Sequence, residues 1–180
     1  MYSNLTNYTD KVDDAFLFIL SIIIFFLVSI TATIIIFIVK YRKREGDNRK
    51  AAQIHGNNTL EIIWTAIPLV LVLGMFYFGW RGWKPLYSKA PDNAMEVKTT
   101  ARMWSWTFEY ENGKKIDTLY VPVNQPVKLN LESIDVIHSI YIPAFRLKMD
   151  MVPGREKSVW FTPNKPGRYD LFCAEYCGLR

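Results

Sequence analysis

Both cysteines of this 180-residue chain fall in one short stretch near its C-terminal end, Cys173-Ala-Glu-Tyr-Cys177. Thiols at this spacing admit three chemistries. They can close a disulfide, which suits an even cysteine count in an oxidising compartment, although so short a loop removes little entropy from the unfolded chain. They can be inert buried thiols. As thiolates they can also be soft ligands of the kind that favour copper, zinc and iron–sulfur centres. Only two histidines are available to join them. His138 lies in IDVIHSIYIP, a mostly apolar stretch where a histidine is more often a hydrogen-bonded core residue than a ligand. His55 lies in a basic stretch, where solvation is the default. Residue types and spacing alone leave all these readings open.

The elements that must position such a site divide the chain in two. Residues 15–39, AFLFILSIIIFFLVSITATIIIFIV, carry no charge, and residues 62–80 form a second uncharged run. At about 1.5 Å of rise per residue, each approaches or exceeds the roughly 30 Å hydrocarbon core of a bilayer. The first run is longer than the apolar core of a cleaved signal, and the head before it, NYTDKVDDA, is net acidic, so an uncleaved span is expected. Lys40, Arg42, Lys43, Arg44, Arg49 and Lys50 lie between the runs against Glu45 and Asp47, whereas the first fourteen residues offer only Lys11. A short basic loop stays on the cytoplasmic side, which sends both termini to the other side. Arg81, Lys84 and Lys89 after the second run dilute this signal without reversing it. The net charge of +5 comes largely from that loop, so it argues for topology and against nucleic-acid binding. The expected organisation is an outer N-terminal segment (1–14), a first span (15–39), a basic cytoplasmic loop (40–59), a second span (60–80) and an outer domain (91–180).

The outer domain alternates. MWSWTFEYE places Trp104, Trp106, Phe108 and Tyr110 on one face of an expected strand, Asn112-Gly113 signals a turn, and VKLNLES points Val127, Leu129 and Leu131 inward. KSVWFT and GRYDLF read as two more strands around the breaker PNKPG. Short strands with Pro and Gly punctuation predict a β-sandwich or barrel. The class is therefore an α+β membrane protein: a two-helix transmembrane hairpin followed by an all-β domain.

Taken together, DVIHSIYIPAFRLKMDMVPGR, FTPNKPGRYDLFCAEYCG, the aromatic stretch MWSWTFEYE and LEIIWTAIP at the second span closely resemble cytochrome c oxidase subunit II. The resemblance runs from about Leu60 to the last residue. It implies a cupredoxin-like Greek-key barrel holding a binuclear copper (CuA) centre. It assigns copper ligands to His138, Cys173 and Cys177 and to the backbone carbonyl of Glu175, whose side chain would reach a magnesium ion shared with subunit I. It makes Trp104 the point where electrons arrive from cytochrome c, although a Trp, Trp, Phe, Tyr face is also good core material; Trp106 is expected to pack. It sets Glu61 at the mouth of a proton channel of subunit I, where an interfacial acid with no such role is equally expected. Lys148 and Asp150 are expected to pair structurally, and Arg146 and Arg155 to contact haem propionates or the subunit interface. Implied partners are subunits I and III, membrane lipid and a cytochrome c that is free, membrane-bound or fused. Haem belongs to subunit I alone, and the expected location is a bacterial inner membrane, with the copper domain outside.

The family's next ligands, a second histidine and a methionine, fall just past Arg180; the favoured expectation is a subunit that continues through them, against a proteolysed subunit or a natural truncation that has given up copper. Two other functions compete. A quinol-oxidase relative keeps the spans and barrel without copper ligands, which the presence of His138, Cys173, Glu175 and Cys177 opposes. A membrane-anchored copper carrier could use one histidine and two cysteines, but would not need Glu61 or the aromatic stretch. The outer domain from Pro91 carries twelve Lys and Arg against eleven Asp and Glu, so no net acidic field announces a basic electron donor.

Overall fold

A computed structural model describes residues 4–46, 53 and 55–179. Asp47, Arg49 and Lys50 of the basic loop lie outside the described residues, as does Arg180. The chain forms two compact units, residues 14–79 and residues 1–13 with 80–180.

The first unit is a helix pair. Helix α1 runs Thr9–Tyr41 and helix α2 runs Asn58–Leu86, and both are long and apolar enough to cross a membrane. At about 1.5 Å per residue they reach roughly 50 and 43 Å, more than a bilayer core, so their polar ends extend beyond it. The helices are therefore longer than the charge-free runs in the sequence. Phe18, early in α1, stacks on Phe78, late in α2, with ring centroids 4.7 Å apart, which fixes an antiparallel hairpin. Hydroxyls inside the apolar runs are satisfied locally: Ser21 Oγ donates to the Leu17 carbonyl and Thr33 Oγ1 to that of Ser29. Asn57 caps α2 by accepting the Leu60 N–H at 3.1 Å.

The second unit holds two β-sheets. Strands β1 (Met95–Arg102), β2 (Ser105–Tyr110), β3 (Lys115–Ile116), β4 (Val127–Ser133) and β7 (Lys157–Phe161) form one, in the order β3-β2-β1-β4-β7. Strands β5 (His138–Ile142), β6 (Leu147–Met151) and β8 (Phe172–Cys173) form the other, in the order β6-β5-β8. β1 and β4 are parallel, with Val97 opposite Leu129, and the other pairings are antiparallel. Alternation directs Val97, Phe108, Val127, Leu129, Leu131, Ile140, Leu147, Met151, Val159 and Phe161 into the buried core. Asn112-Gly113 makes the β2–β3 turn, with Gly113 at φ +78.

Two expectations change, and the N-terminal segment gains a place in the fold. MWSWTFEYE is not one continuous strand: Arg102 pairs with Ser105, so the chain reverses at Met103-Trp104 and Trp104 sits in a turn, half exposed, rather than on a core face. In GRYDLF only Phe172 joins a strand; Tyr169 instead packs its ring on Phe145, and its hydroxyl donates to the Lys165 and Pro166 carbonyls. The acidic N-terminal head, expected only to lie outside, packs into the outer unit. Leu5, Thr6, Tyr8 and Thr9 are buried in the outer unit. Thr6 bridges to Pro163, the Asn164 N–H donates to the Leu5 carbonyl, and Asn7 Oδ1 accepts the Thr162 N–H.

Candidate metal centre

Three loops meet at one end of the β domain. The β1–β2 turn brings Met103 and Trp104, the β4–β5 loop brings residues 134–137, and the segment after β8 brings residues 174–179. His138 opens β5 and is 2 % exposed. Cys173 closes β8, which pairs with β5 through Ile140 opposite Cys173. Cys177 follows on the loop. A donor atom from each of His138, Cys173 and Cys177 lies within 4.8 Å of the others. His138 Nδ1 stands 3.7 Å from Cys173 Sγ, and Cys173 Sγ is 3.6 Å from the Glu175 carbonyl. Both cysteines are free thiols, so the disulfide reading is not the one this fold adopts.

Asp135 organises the group. Its Oδ1 is 2.7 Å from His138 Nε2 and its Oδ2 accepts the Met103 N–H at 2.7 Å, while Oδ1 also takes the Val136 N–H. These contacts, the Met103 amide first, hold the Asp135 carboxyl down at about 2. The carboxylate occupies Nε2 and so turns Nδ1 towards the thiols. A carboxylate on the outer nitrogen of a metal-binding imidazole is the usual way to fix its tautomer and orientation. Burial lowers the His138 pKa, but the Asp135 hydrogen bond and Cys173 outweigh it, leaving the ring above its ordinary value. Burial raises the Cys173 thiol, yet hydrogen bonds with the Ser139 and Glu175 main chain, His138 and Cys177 bring it below the usual thiol range. Burial and the neighbouring Cys173 charge push Cys177 up. Two sulfurs and one oriented imidazole nitrogen suit a soft metal such as copper. The donor set therefore fits a copper centre.

The remaining sequence candidates fall into place around it. Trp104 is 52 % exposed beside this group. Trp106 packs partly against the core with its ring centroid 6.4 Å from that of His138. Lys148 Nζ pairs with Asp150 at 2.9 Å and lies 3.7 Å from Glu175 Oε1, and Ser139 Oγ donates to Asp150. Arg146 is engaged within its own unit: its guanidinium grips Asp13 through Nε at 2.7 Å and donates to the Pro143 carbonyl. Arg155 is exposed in the β6–β7 turn. Glu61 lies in the first turn of α2, exposed, in the other unit. His55 is exposed. Sequence reasoning missed Asp135, whose only signal was an acid three positions before a candidate ligand.

Two family profiles match the chain. One, described as the transmembrane domain of cytochrome c oxidase subunit II, matches residues 3–79. The other, described as the periplasmic domain of the same subunit, matches residues 115–180. Among similar proteins, cytochrome c oxidase subunit 2 of Alkalihalophilus pseudofirmus is 38 % identical over 175 residues, covering 89 % of this chain and 49 % of that protein. Cytochrome c oxidase subunit 2 of Synechocystis is 28 % identical, covering 94 % of this chain and 65 % of that protein. The chain thus spans about half of the first relative's length and under two thirds of the second's. A chain from a cryo-EM structure of a heme-copper terminal oxidase dimer shares the fold, with a TM-score of 0.51 at 22 % identity over 68 % of this chain and 90 % of that one.

Proposed function

The chain belongs to the cytochrome c oxidase subunit II family, and from that premise we propose that its outer domain accepts electrons from cytochrome c and passes them towards haem in subunit I. The observation that carries the reading is the convergence of His138, Cys173 and Cys177, with Asp135 on the far nitrogen of the imidazole. When bound there, a binuclear copper centre supplies reversible one-electron transfer spread over two metals and two sulfurs. The protein's part is to hold His138, the two thiolates and the Glu175 carbonyl still in both redox states. β5 and β8 supply the rigid frame through their pairing, and the Asp135 carboxylate locks the imidazole. Trp104, exposed on the turn that Asp135 anchors, is the residue over which the donor delivers its electron.

The helix pair anchors this domain to a bacterial inner membrane beside subunits I and III, with the β domain on the outer side. The packing of residues 4–13 into the outer unit supports that orientation, because it ties the N-terminal segment to the same side as the β domain. Glu61 offers a carboxylate at the inner end of α2, where protons enter a channel of subunit I. The Glu175 side chain, 3.7 Å from the Lys148 ammonium, would supply a carboxylate to a magnesium ion at the border with that subunit. Oxygen reduction and proton pumping belong to the assembled complex. Replacing Cys177 by Ser tests the reading: the assembled oxidase should keep its subunits, lose the copper centre and lose cytochrome c oxidation. A variant oxidising cytochrome c at the wild-type rate would sink the proposal.

A further inference from the structure

We propose that Met103 is a copper-loading ligand: its thioether, together with the Cys177 thiolate, captures Cu(I) at the surface and passes it inward to Cys173 and His138. The inference rests on the copper-centre reading above and adds to it the route by which the metal arrives. The ligand group is hard to reach from solution. His138 is 2 % exposed and both cysteines are half-buried. An imidazole so deeply buried is not the first donor that an incoming ion meets. Met103 stands further out, 42 % exposed at the reversal between β1 and β2. Its sulfur lies against the loop that carries Cys177: a Cβ at Gly178, the next residue, would meet Met103 Sδ at 3.3 Å. The Met103 N–H donates to Asp135 Oδ2 at 2.7 Å, and Asp135 Oδ1 is 2.7 Å from His138 Nε2. One carboxylate thus fixes the backbone of the outer sulfur relative to the inner imidazole. Donor atoms of Cys177, Cys173 and His138 lie within 4.8 Å of one another, so an ion held at Cys177 is one ligand exchange from the buried donors.

Core packing does not account for Met103. Of the described methionines of the outer unit, Met149 and Met151 are buried and Met95 packs against the core, whereas Met103 does neither. What a thioether adds at an exposed turn, and a leucine does not, is a soft lone pair. Thioether and thiolate together suit Cu(I), while Zn(II) draws its ligands from thiolate, imidazole and carboxylate. The transfer is a ligand exchange with no change of oxidation state. The Met103 sulfur donates its lone pair as a bond between Cu(I) and its carrier breaks, and it has no proton to lose. The Cys177 thiol releases its proton to solvent as its own bond to the ion forms. The Cys173 sulfur, likewise giving its proton to solvent, and His138 Nδ1, 3.7 Å from it, then take the ion as the Met103 bond breaks. Met103 is left free for the next ion.

The test uses the copper-free, full-length natural subunit in detergent micelles. It is mixed with Cu(I) held by a weak coloured chelator, or with Zn(II) held in the same way, and uptake is followed by loss of the chelate's colour. Met103→Leu should slow Cu(I) uptake about 10-fold, reach the wild-type copper content in the end, and leave Zn(II) uptake within about 2-fold of wild type. Met103→His offers Cu(I) a nitrogen donor at the same place and should bring the rate back to within about 3-fold of wild type. Equal Cu(I) rates in wild type and Met103→Leu overturn the inference. So does equal slowing of Cu(I) and Zn(II), which would leave Met103 with the turn's shape as its whole role, and so does a Met103→His variant as slow as Met103→Leu. Wild-type subunit that takes up no Cu(I) at all defeats the copper-centre reading, and this inference with it.

Discussion

Tyr8 gives the sharpest check that the N-terminal segment is part of the outer domain. Its side chain is 1 % exposed, its ring meets Trp160 edge-on with centroids 5.5 Å apart, and its hydroxyl donates to the Pro85 carbonyl at 3.4 Å. Replacing it by Ala removes a buried aromatic ring and leaves a cavity, a change that costs about 3–5 kcal/mol. The chain in detergent micelles, probed by pulse proteolysis across a urea series, should report this as a loss of outer-domain protection. At about 1.5 kcal/mol per molar urea the midpoint falls by about 2–3 M. Tyr8→Phe keeps the ring and gives up only a long hydrogen bond, so it should cost under about 1 kcal/mol. It should also change the alkaline limb. Burial raises the Tyr8 hydroxyl from 10.0 to about 12. A pKa raised in the folded state gives stability that is complete below pH 10 and lost as pH climbs to about 12, worth on the order of 2–3 kcal/mol at most. Wild-type chain should therefore lose stability over that window more steeply than Tyr8→Phe. If Tyr8→Ala kept the wild-type midpoint, the segment would not be packed in the domain, and it would no longer place the N-terminus on the side of the β domain.

Two further outcomes follow from the site. Asp135→Ala strips His138 Nε2 and the Met103 amide of their partner; copper affinity, measured by competition with a chelator, should fall about 10- to 100-fold, and unchanged affinity would remove Asp135 from the site's support. Gly178 sits at φ +104 against Met103, so Gly178→Ala strains the backbone by about 1–2 kcal/mol and displaces the turn carrying Trp104; slower reduction by the donor with copper retained is expected, and wild-type reduction kinetics would contradict that.

Much of this was legible from residue order alone. Charge-free runs gave the two helices because a long apolar stretch can satisfy its backbone only as a helix in lipid. Alternation gave β4 and its buried Val127, Leu129 and Leu131. The metal-binding residues were visible only by resemblance, since two cysteines and a distant histidine have many ordinary uses. Other features were hidden. The reversal at Met103-Trp104 carries neither Gly nor Asn, and the alternating pattern continues through it; what fixes the turn is Asp135, thirty-two positions away. GRYDLF alternates like a strand, but most of it lines a cavity of about 490 Å³ beside Phe145 instead of pairing. The N-terminal segment is too short to show a period, and its burial depends on β7 and on the Arg146–Asp13 pair, both far along the chain.

The central claim is that this fold presents the ligands of a two-copper electron acceptor. It is tested most directly by low-temperature electron paramagnetic resonance of the air-oxidised, copper-replete oxidase containing the natural subunit. The account predicts a signal from one unpaired electron split by two equivalent copper nuclei, which Cys177→Ser abolishes. An intact, copper-replete complex without that signal would contradict the claim and leave His138, Cys173 and Cys177 as a site with another purpose.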